Sequence, residues 1–296
     1  MNPTRRWTSR CRRTLITAAA LLMALSTGLA LAESPVLGRI SERGQINIGY
    51  RESSPPFSYY NEQKQVAGFS IELCKHVVEE LSRQLGKDLK VNYVPITTAN
   101  RIAQVVSGGI DMECGTTTIT LARLEQVSFS MPFWVTGTQL VVPKANQVKE
   151  VEELKGKTIA VLQGSSNERA LQTLSRDEGL DLKFNYVKDY AEGFLALETD
   201  RVDALAGDGT PIAVYAATKA GHPEQLAVIG RPLTVDPYGV MFPRGDEEFR
   251  VVVDRALARA FSSGAALALV ETHLGPVGVK ASSDLVALYR AQSLPE

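Results

Sequence analysis

From Gln45 onward the chain alternates short β-branched stretches with amphipathic helical stretches, and it runs through that alternation twice. Gln45–Tyr50, Lys90–Ile96 and Ile110–Cys114 read as strands in the first series. A Pro-rich loop, Arg51–Tyr60, follows the first of them, and the next helix sets Cys74, Val77, Val78, Leu81 and Leu85 on one stripe. Asn100–Ser107 and Thr120–Val127 read as short helices, and Gln139–Val142 as a strand leading outward. The second series opens with a helical turn at Val151–Leu154. Its strands are Thr158–Leu162, Lys183–Val187, Val202–Ala206 and Leu226–Ile229, separated by helices Asn167–Asp177, Ala191–Thr199 and Thr210–Lys219. The chain then returns through Leu233–Phe242 to a helix with Phe249, Val252, Val253, Ala256, Leu257, Ala260 and Phe261 on one apolar stripe. Ala265–His273 and the tail Val277–Glu296 read as further helices. Strands and helices in such alternation require layered α/β packing. No low-complexity linker separates the series, which suggests two lobes joined by strand crossings. The expected division is residues 33–140 plus 236–280 for one lobe, 141–235 for the other, and 281–296 for a helical tail. Periodicity alone leaves one continuous α/β domain open as the alternative.

The first 32 residues stand apart from this pattern. Arg5, Arg6, Arg10, Arg12 and Arg13 precede an apolar run from Leu15 to Ala32 that ends in Ala30-Leu31-Ala32. A basic start, an apolar middle and a small-x-small end mark a cleaved signal peptide over residues 1–32. Arg12-Arg13 leaves export by the general or the twin-arginine route open, and an uncleaved membrane anchor is the competing reading. The whole chain holds 32 Lys+Arg and 33 Asp+Glu; the leader carries five Arg and no acid, leaving 27 against 33. A mildly acidic mature chain argues against nucleic acid as a partner. Cys74 and Cys114 remain after cleavage, forty residues apart, a spacing that fits no zinc motif. A disulfide and two buried thiols both remain open for them.

His76, His222 and His273 are far apart in sequence and read as surface or packing residues. No nucleophile elbow, phosphate-binding loop, dinucleotide fingerprint or zinc-protease motif occurs, so neither a cofactor nor a metal is expected. What stands out are polar loops after strands, where open α/β sheets bind ligands. Cys114-Gly115-Thr116-Thr117-Thr118 leads to Arg123 at the next helix. Glycine admits backbone N–H groups to an anion, hydroxyls add hydrogen bonds, and arginine forks onto carboxylates. Threonine capping a helix beside a surface arginine is the plainer alternative. Arg51 and Arg101 occupy similar positions, after the first strand and at the next helix start. Three converging guanidinium groups suit a ligand with two carboxylates. In the second series, Gly164-Ser165-Ser166 opens a helix. Asp208, flanked by Gly207 and Gly209, suits an ammonium group or an ordinary helix cap.

These strings resemble the periplasmic solute-binding proteins for polar amino acids, most closely the glutamate/aspartate branch serving bacterial ABC importers. The matching strings include Gly49-Tyr50-Arg51-Glu52-Ser53-Ser54, Pro56-Phe57-Ser58-Tyr59-Tyr60, Pro95-Ile96-Thr97 and Asn100-Arg101-Ile102. Glu113-Cys114-Gly115-Thr116-Thr117, Phe129-Ser130, Lys188-Asp189, Asp208 and Tyr238-Gly239 also match. The resemblance implies a two-lobed, type II periplasmic binding fold, the Venus flytrap, with lobes joined by two strand crossings. It implies a periplasmic monomer that transforms nothing and partners an inner-membrane ABC permease. Arg123, Thr118 and the Thr116 backbone would hold the ligand α-carboxylate and Asp208 the α-ammonium. Arg51, Arg101 and Thr98 would hold the side-chain carboxylate, with Ser165 and Ser166 closing from the other lobe. Two departures bear on the Asp/Glu preference: Tyr190 stands where the branch has a histidine, and Thr98 and Thr116 stand at serine positions. A lyase or dehydratase on the same fold, or a sensory ligand-binding module, are the alternative functions.

Overall fold

A computed structural model describes residues 34–295, so the expected signal peptide lies outside the described residues. Two five-stranded sheets carry the two lobes. In the first, the spatial order is Lys90–Pro95, Gln45–Tyr50, Met112–Glu113, Met241–Pro243 and Val127–Phe129. In the second, it is Lys183–Val187, Thr158–Leu162, Ala204–Asp208, Thr138–Pro143 and Leu226–Ile229. Each sheet has four strands running one way and a fifth, between two of them, that runs antiparallel to both its neighbours. In both sheets that reversed strand is the one arriving directly from the other lobe. The crossings themselves, Trp134–Thr136 and Asp236–Tyr238, pair antiparallel with Tyr238 opposite Trp134.

Burial follows the expected stripes. The helix Phe69–Leu85 buries Cys74, Val77, Val78 and Leu81, and packs on Glu247–Ser262, whose predicted apolar stripe is buried throughout. In the second lobe, one apolar cluster includes Tyr190, Phe194, Leu197 and Ile212. Another includes Leu154, Leu171 and Leu182, so the sheet is covered on both faces, as parallel strands require. Cys74 and Cys114 form a disulfide, which ties this long helix to the loop after Met112–Glu113.

Three local readings change. Pro35–Arg43 is a helix, capped by Ser34 accepting from the Leu37 N–H at 3.0 Å and ended by Gly44 in the left-handed region. Ser53–Ser54 and Ser58–Tyr60, within the expected loop, form a small antiparallel sheet with Val66–Ala67. Val127 opens a strand rather than ending a helix, because it pairs with Pro243, a long-range partner that local periodicity cannot reveal. The tail forms the helix Ser283–Ala291 against the first lobe, where the Tyr289 ring stacks on Phe261.

Candidate binding site

Loops at the carboxyl ends of the parallel strands in both sheets meet across the crossings, the position at which open α/β sheets present ligand sites. Arg51 follows Gln45–Tyr50, Thr116–Thr118 follow Met112–Glu113, and Arg101 begins the helix Arg101–Val106. From the second lobe come Ser165 and Ser166 after Thr158–Leu162, Tyr190 at the start of Tyr190–Glu198, and Asp208 at the end of Ala204–Asp208. Arg51, Thr98, Arg101, Thr116, Thr118, Ser165, Ser166, Tyr190 and Asp208 line one cavity, together with Leu162 and Asn167. Arg123 stands on the wall of the adjoining groove, which shares Ser166 with the cavity. Its guanidinium donates to Thr118 O at 2.6 Å and to Gly164 O at 3.3 Å, so it touches both lobes. Thr118 and Ser166 hydroxyls also meet across the cleft at 3.1 Å. The lobes are therefore closed, and the cavity measures about 10 Å³, close to the space one water needs.

Two glycines shape the loops that meet here. A Cβ on Gly115 would lie 2.2 Å from Glu113 Oε1 and 3.0 Å from Arg51 Cγ. Gly164 has φ +76° and passes close to the Thr98–Ala99 backbone, 3.4 Å from Ala99 Cα to where its Cβ would stand. A Cβ there would make ordinary contact with the facing loop, but any residue other than glycine is strained in the left-handed region.

The plainer alternatives for these loops give way to the geometry. Thr120, not Thr116–Thr118, caps the turn Leu121–Leu124, accepting from the Arg123 N–H at 3.2 Å. Arg123 is not a surface charge: Arg51, Arg101, Arg123 and Asp208 are each at most 5% exposed. Asp208 occupies the cap position of Gly209–Thr218 but makes no capping bond. Its carboxylate instead accepts from Tyr238 Oη at 2.6 Å and from Asn167 Nδ2 at 3.0 Å. Ser165 does cap its helix, accepting from the Glu168 N–H at 3.0 Å. The three histidines lie outside the cavity.

Glu113 is a further charge that sequence reasoning did not single out, although it sits in the string Glu113-Cys114-Gly115. It is fully buried. Burial pulls its carboxyl toward the neutral form, while Arg101, then the Thr117 hydroxyl, then Arg51 pull it back. Asn167 and Tyr238 were likewise passed over, because only the tertiary fold brings them to Asp208. With both acids ionised, three arginines against Glu113 and Asp208 leave one positive charge; with Glu113 protonated they leave two. Arg169 and, more weakly, Asp236 also act on Arg123, in opposite directions. The cleft is positive in either state. Burial, then Arg123, pushes Arg101 down to about 9, so it stays cationic at neutral pH. Burial, then Asp208, raises Tyr190, which therefore keeps its proton as a donor.

The site also contains unfinished hydrogen bonding. Among the described residues, Arg51 Nη2, Arg101 Nε and Thr98 Oγ1 are buried without a partner. A buried donor left unmade costs about 1–3 kcal/mol, more when charged. No cluster of possible metal ligands occurs among the described residues. The arrangement is suited to gripping a small anion-bearing molecule through charge-assisted hydrogen bonds.

Comparison with known proteins gives the same picture from another side. The family of bacterial extracellular solute-binding proteins, family 3, matches residues 46–276. A glutamate/aspartate import solute-binding protein of Salmonella typhimurium is 38% identical over 258 residues, 85% of each chain. A glutamine-binding protein of Bacillus subtilis is 28% identical, over 81% of this chain and 85% of its own. Among solved structures, a solute receptor for L-cysteine from Neisseria gonorrhoeae superposes with a TM-score of 0.74 at 27% identity. That match covers 84% of this chain and 98% of the other.

Proposed function

The chain belongs to the bacterial extracellular solute-binding proteins, family 3. From that membership and the charge of its cleft we propose that it captures glutamate or aspartate between its lobes in the periplasm and delivers it to an ABC permease. The observation that carries this reading is the cluster of three buried arginines against two buried acids, with guanidinium nitrogens still unpaired. An acidic amino acid brings two carboxylates and one ammonium, a net charge of about −1 at neutral pH, and so cancels the single surplus charge left with both acids ionised and halves that left with Glu113 protonated. A neutral amide such as glutamine leaves the surplus in place.

In this reading Arg123, Thr118 and the Thr116 backbone hold the α-carboxylate, and Asp208 takes the ammonium. Arg51, Arg101 and Thr98 take the side-chain carboxylate. Ser165, Ser166 and Tyr190 close on the ligand from the second lobe, the phenol as a neutral donor. With about 10 Å³ between the closed lobes, an amino acid enters only when they part. The ligand then bridges groups of both lobes, and that differential contact favours closure. Each charge-assisted bond contributes about 1.5–3 kcal/mol, so several offset the lost freedom of ligand and lobes. Among the described residues no helix is long and apolar enough to cross a membrane. A lyase or dehydratase needs a proton-transfer group poised at the ligand. Glu52 is exposed, and Tyr190 is driven away from ionisation.

The proposal is tested by mass spectrometry of whatever small molecule survives gentle purification, followed by overnight incubation of glutamate with the protein and chromatography. Carried glutamate or aspartate, recovered unchanged, is expected. A carried molecule of another class, or conversion of glutamate to a product, refutes it.

A further inference from the structure

We infer that Tyr238 is a positioning residue for the ligand's ammonium: its hydroxyl fixes the Asp208 carboxylate and anchors that carboxylate to the second crossing strand. The inference rests on the proposed role of Asp208 but goes beyond it, since Tyr238 does not line the cavity.

The geometry is specific. Tyr238 Oη donates to Asp208 Oδ2 at 2.6 Å, within the short range of hydroxyl–carboxylate bonds. Asn167 Nδ2 takes the other oxygen at 3.0 Å and also reaches Thr138 Oγ1 at 2.9 Å. Each carboxylate oxygen thus has one neutral donor, which aims its remaining lone pairs. Tyr238 is itself immobilised. Its ring packs edge-on against Phe57 and Phe133 in the first lobe's core, with centroids 5.5 and 6.3 Å away. Its backbone bridges to Thr118, while the Ile119 N–H donates to Pro237 O at 2.8 Å. One residue therefore joins the Thr118–Arg123 side of the cleft to the acid on the opposite lobe. A ligand α-carboxylate and α-ammonium are held a fixed distance apart by a single carbon, so the two grips must be held in register, and Tyr238 lies between them.

The hydroxyl also decides when Asp208 is charged. Burial raises the Asp208 carboxyl; the bonds from Tyr238 and Asn167 lower it, Asp236 raises it and Arg101 lowers it. Arg123 and Tyr190 are the other titratable groups coupled to it. Tyr238 remains protonated, because burial and then Asp208 hold its phenol well above the ordinary value. Removing the hydroxyl takes away one of two neutral donors that favour the anion, so Asp208 gains its proton at a higher pH. A protonated Asp208 cannot pair with ammonium, and affinity is lost as pH falls.

The test is calorimetry with glutamate between about pH 5 and pH 8.5 on the wild type, Tyr238→Phe and Tyr238→Met, any change in the ligand's own ionisation being common to all three. The expected loss in Tyr238→Phe is about tenfold at pH 8, widening to about a hundredfold at pH 5, against a flatter wild-type profile. Tyr238→Met should follow the same course, and melting temperatures identify which variant is folded. A constant gap at every pH, or no gap, overturns the inference, as does failure of both variants to fold, since that makes Tyr238 a folding residue. Absence of both glutamate and aspartate binding in the wild type refutes the proposed function instead.

Discussion

Asp111 and Arg101 are both charged, both buried and both in the first lobe, yet their surroundings are opposite. Asp111 is finished by the protein: Arg43 Nη2 donates to its two oxygens at 2.8 and 2.7 Å, and the Asn47 N–H donates to Oδ2 at 2.9 Å. Those bonds fasten the helix Pro35–Arg43 to the sheet. Arg101 has one side-chain bond, to Thr117 Oγ1 at 2.7 Å, with Nε unpaired beside two other arginines. Completed charge supports folding; incomplete charge, held in place by folding, is available for binding. Buried like charges persist only when the surrounding fold is strong enough to tolerate them, so the contrast separates residues that stabilise from residues that bind.

Substitutions in the two regions should therefore have crossed effects. The largest is expected at Asp208→Ala, which leaves a ligand ammonium buried and unpaired. Glutamate affinity should fall by about a thousandfold, or roughly 4 kcal/mol, in calorimetry, with a smaller loss of stability of about 1–3 kcal/mol because Tyr238 Oη and Asn167 Nδ2 lose their acceptor. Replacing both cysteines, Cys74→Ser with Cys114→Ser, opens a 40-residue loop and should lower unfolding free energy by about 4 kcal/mol on the chain-entropy account, read by denaturant titration. Its bridge reaches the loop carrying Thr116–Thr118, so weaker binding should accompany the loss and blur the contrast. Asp111→Ala should cost about 2 kcal/mol of stability and leave affinity unchanged, which is the sharpest check on the separation. Smallest is Glu113→Gln: with Glu113 ionised in the wild type, the change makes the cleft more positive and should widen the preference for glutamate over glutamine by about tenfold, or roughly 1.4 kcal/mol, in competition binding, whereas an unchanged preference would mark Glu113 as already neutral.

The same division explains what the sequence disclosed. Strands and helices longer than about one turn were legible because a periodic apolar face is a local property. The helix Pro35–Arg43 was legible in principle, from Ser34-Pro35 at its start and Gly44 at its end, but it lacks the long stripe of Glu247–Ser262. The small sheet at Ser53–Tyr60 and the strand at Val127 depend on partners elsewhere in the chain, and no local signal announces them. In the cleft, arginines after strands and a glycine-flanked aspartate stood out by position. Glu113, Asn167 and Tyr238 did not, since a buried carboxylate, an amide and a phenol acquire their roles only from what tertiary packing sets against them. The pairing of Cys74 with Cys114 was open for the same reason: spacing does not report distance.

The surplus positive charge is tested most directly by calorimetric titration of the wild type and Arg101→Ala with glutamate and with glutamine. The expected result is a preference for glutamate of at least a hundredfold, or roughly 2.7 kcal/mol, that shrinks markedly when Arg101 is removed. Equal affinity of the wild type for the two ligands, or a preference untouched by Arg101→Ala, would contradict it.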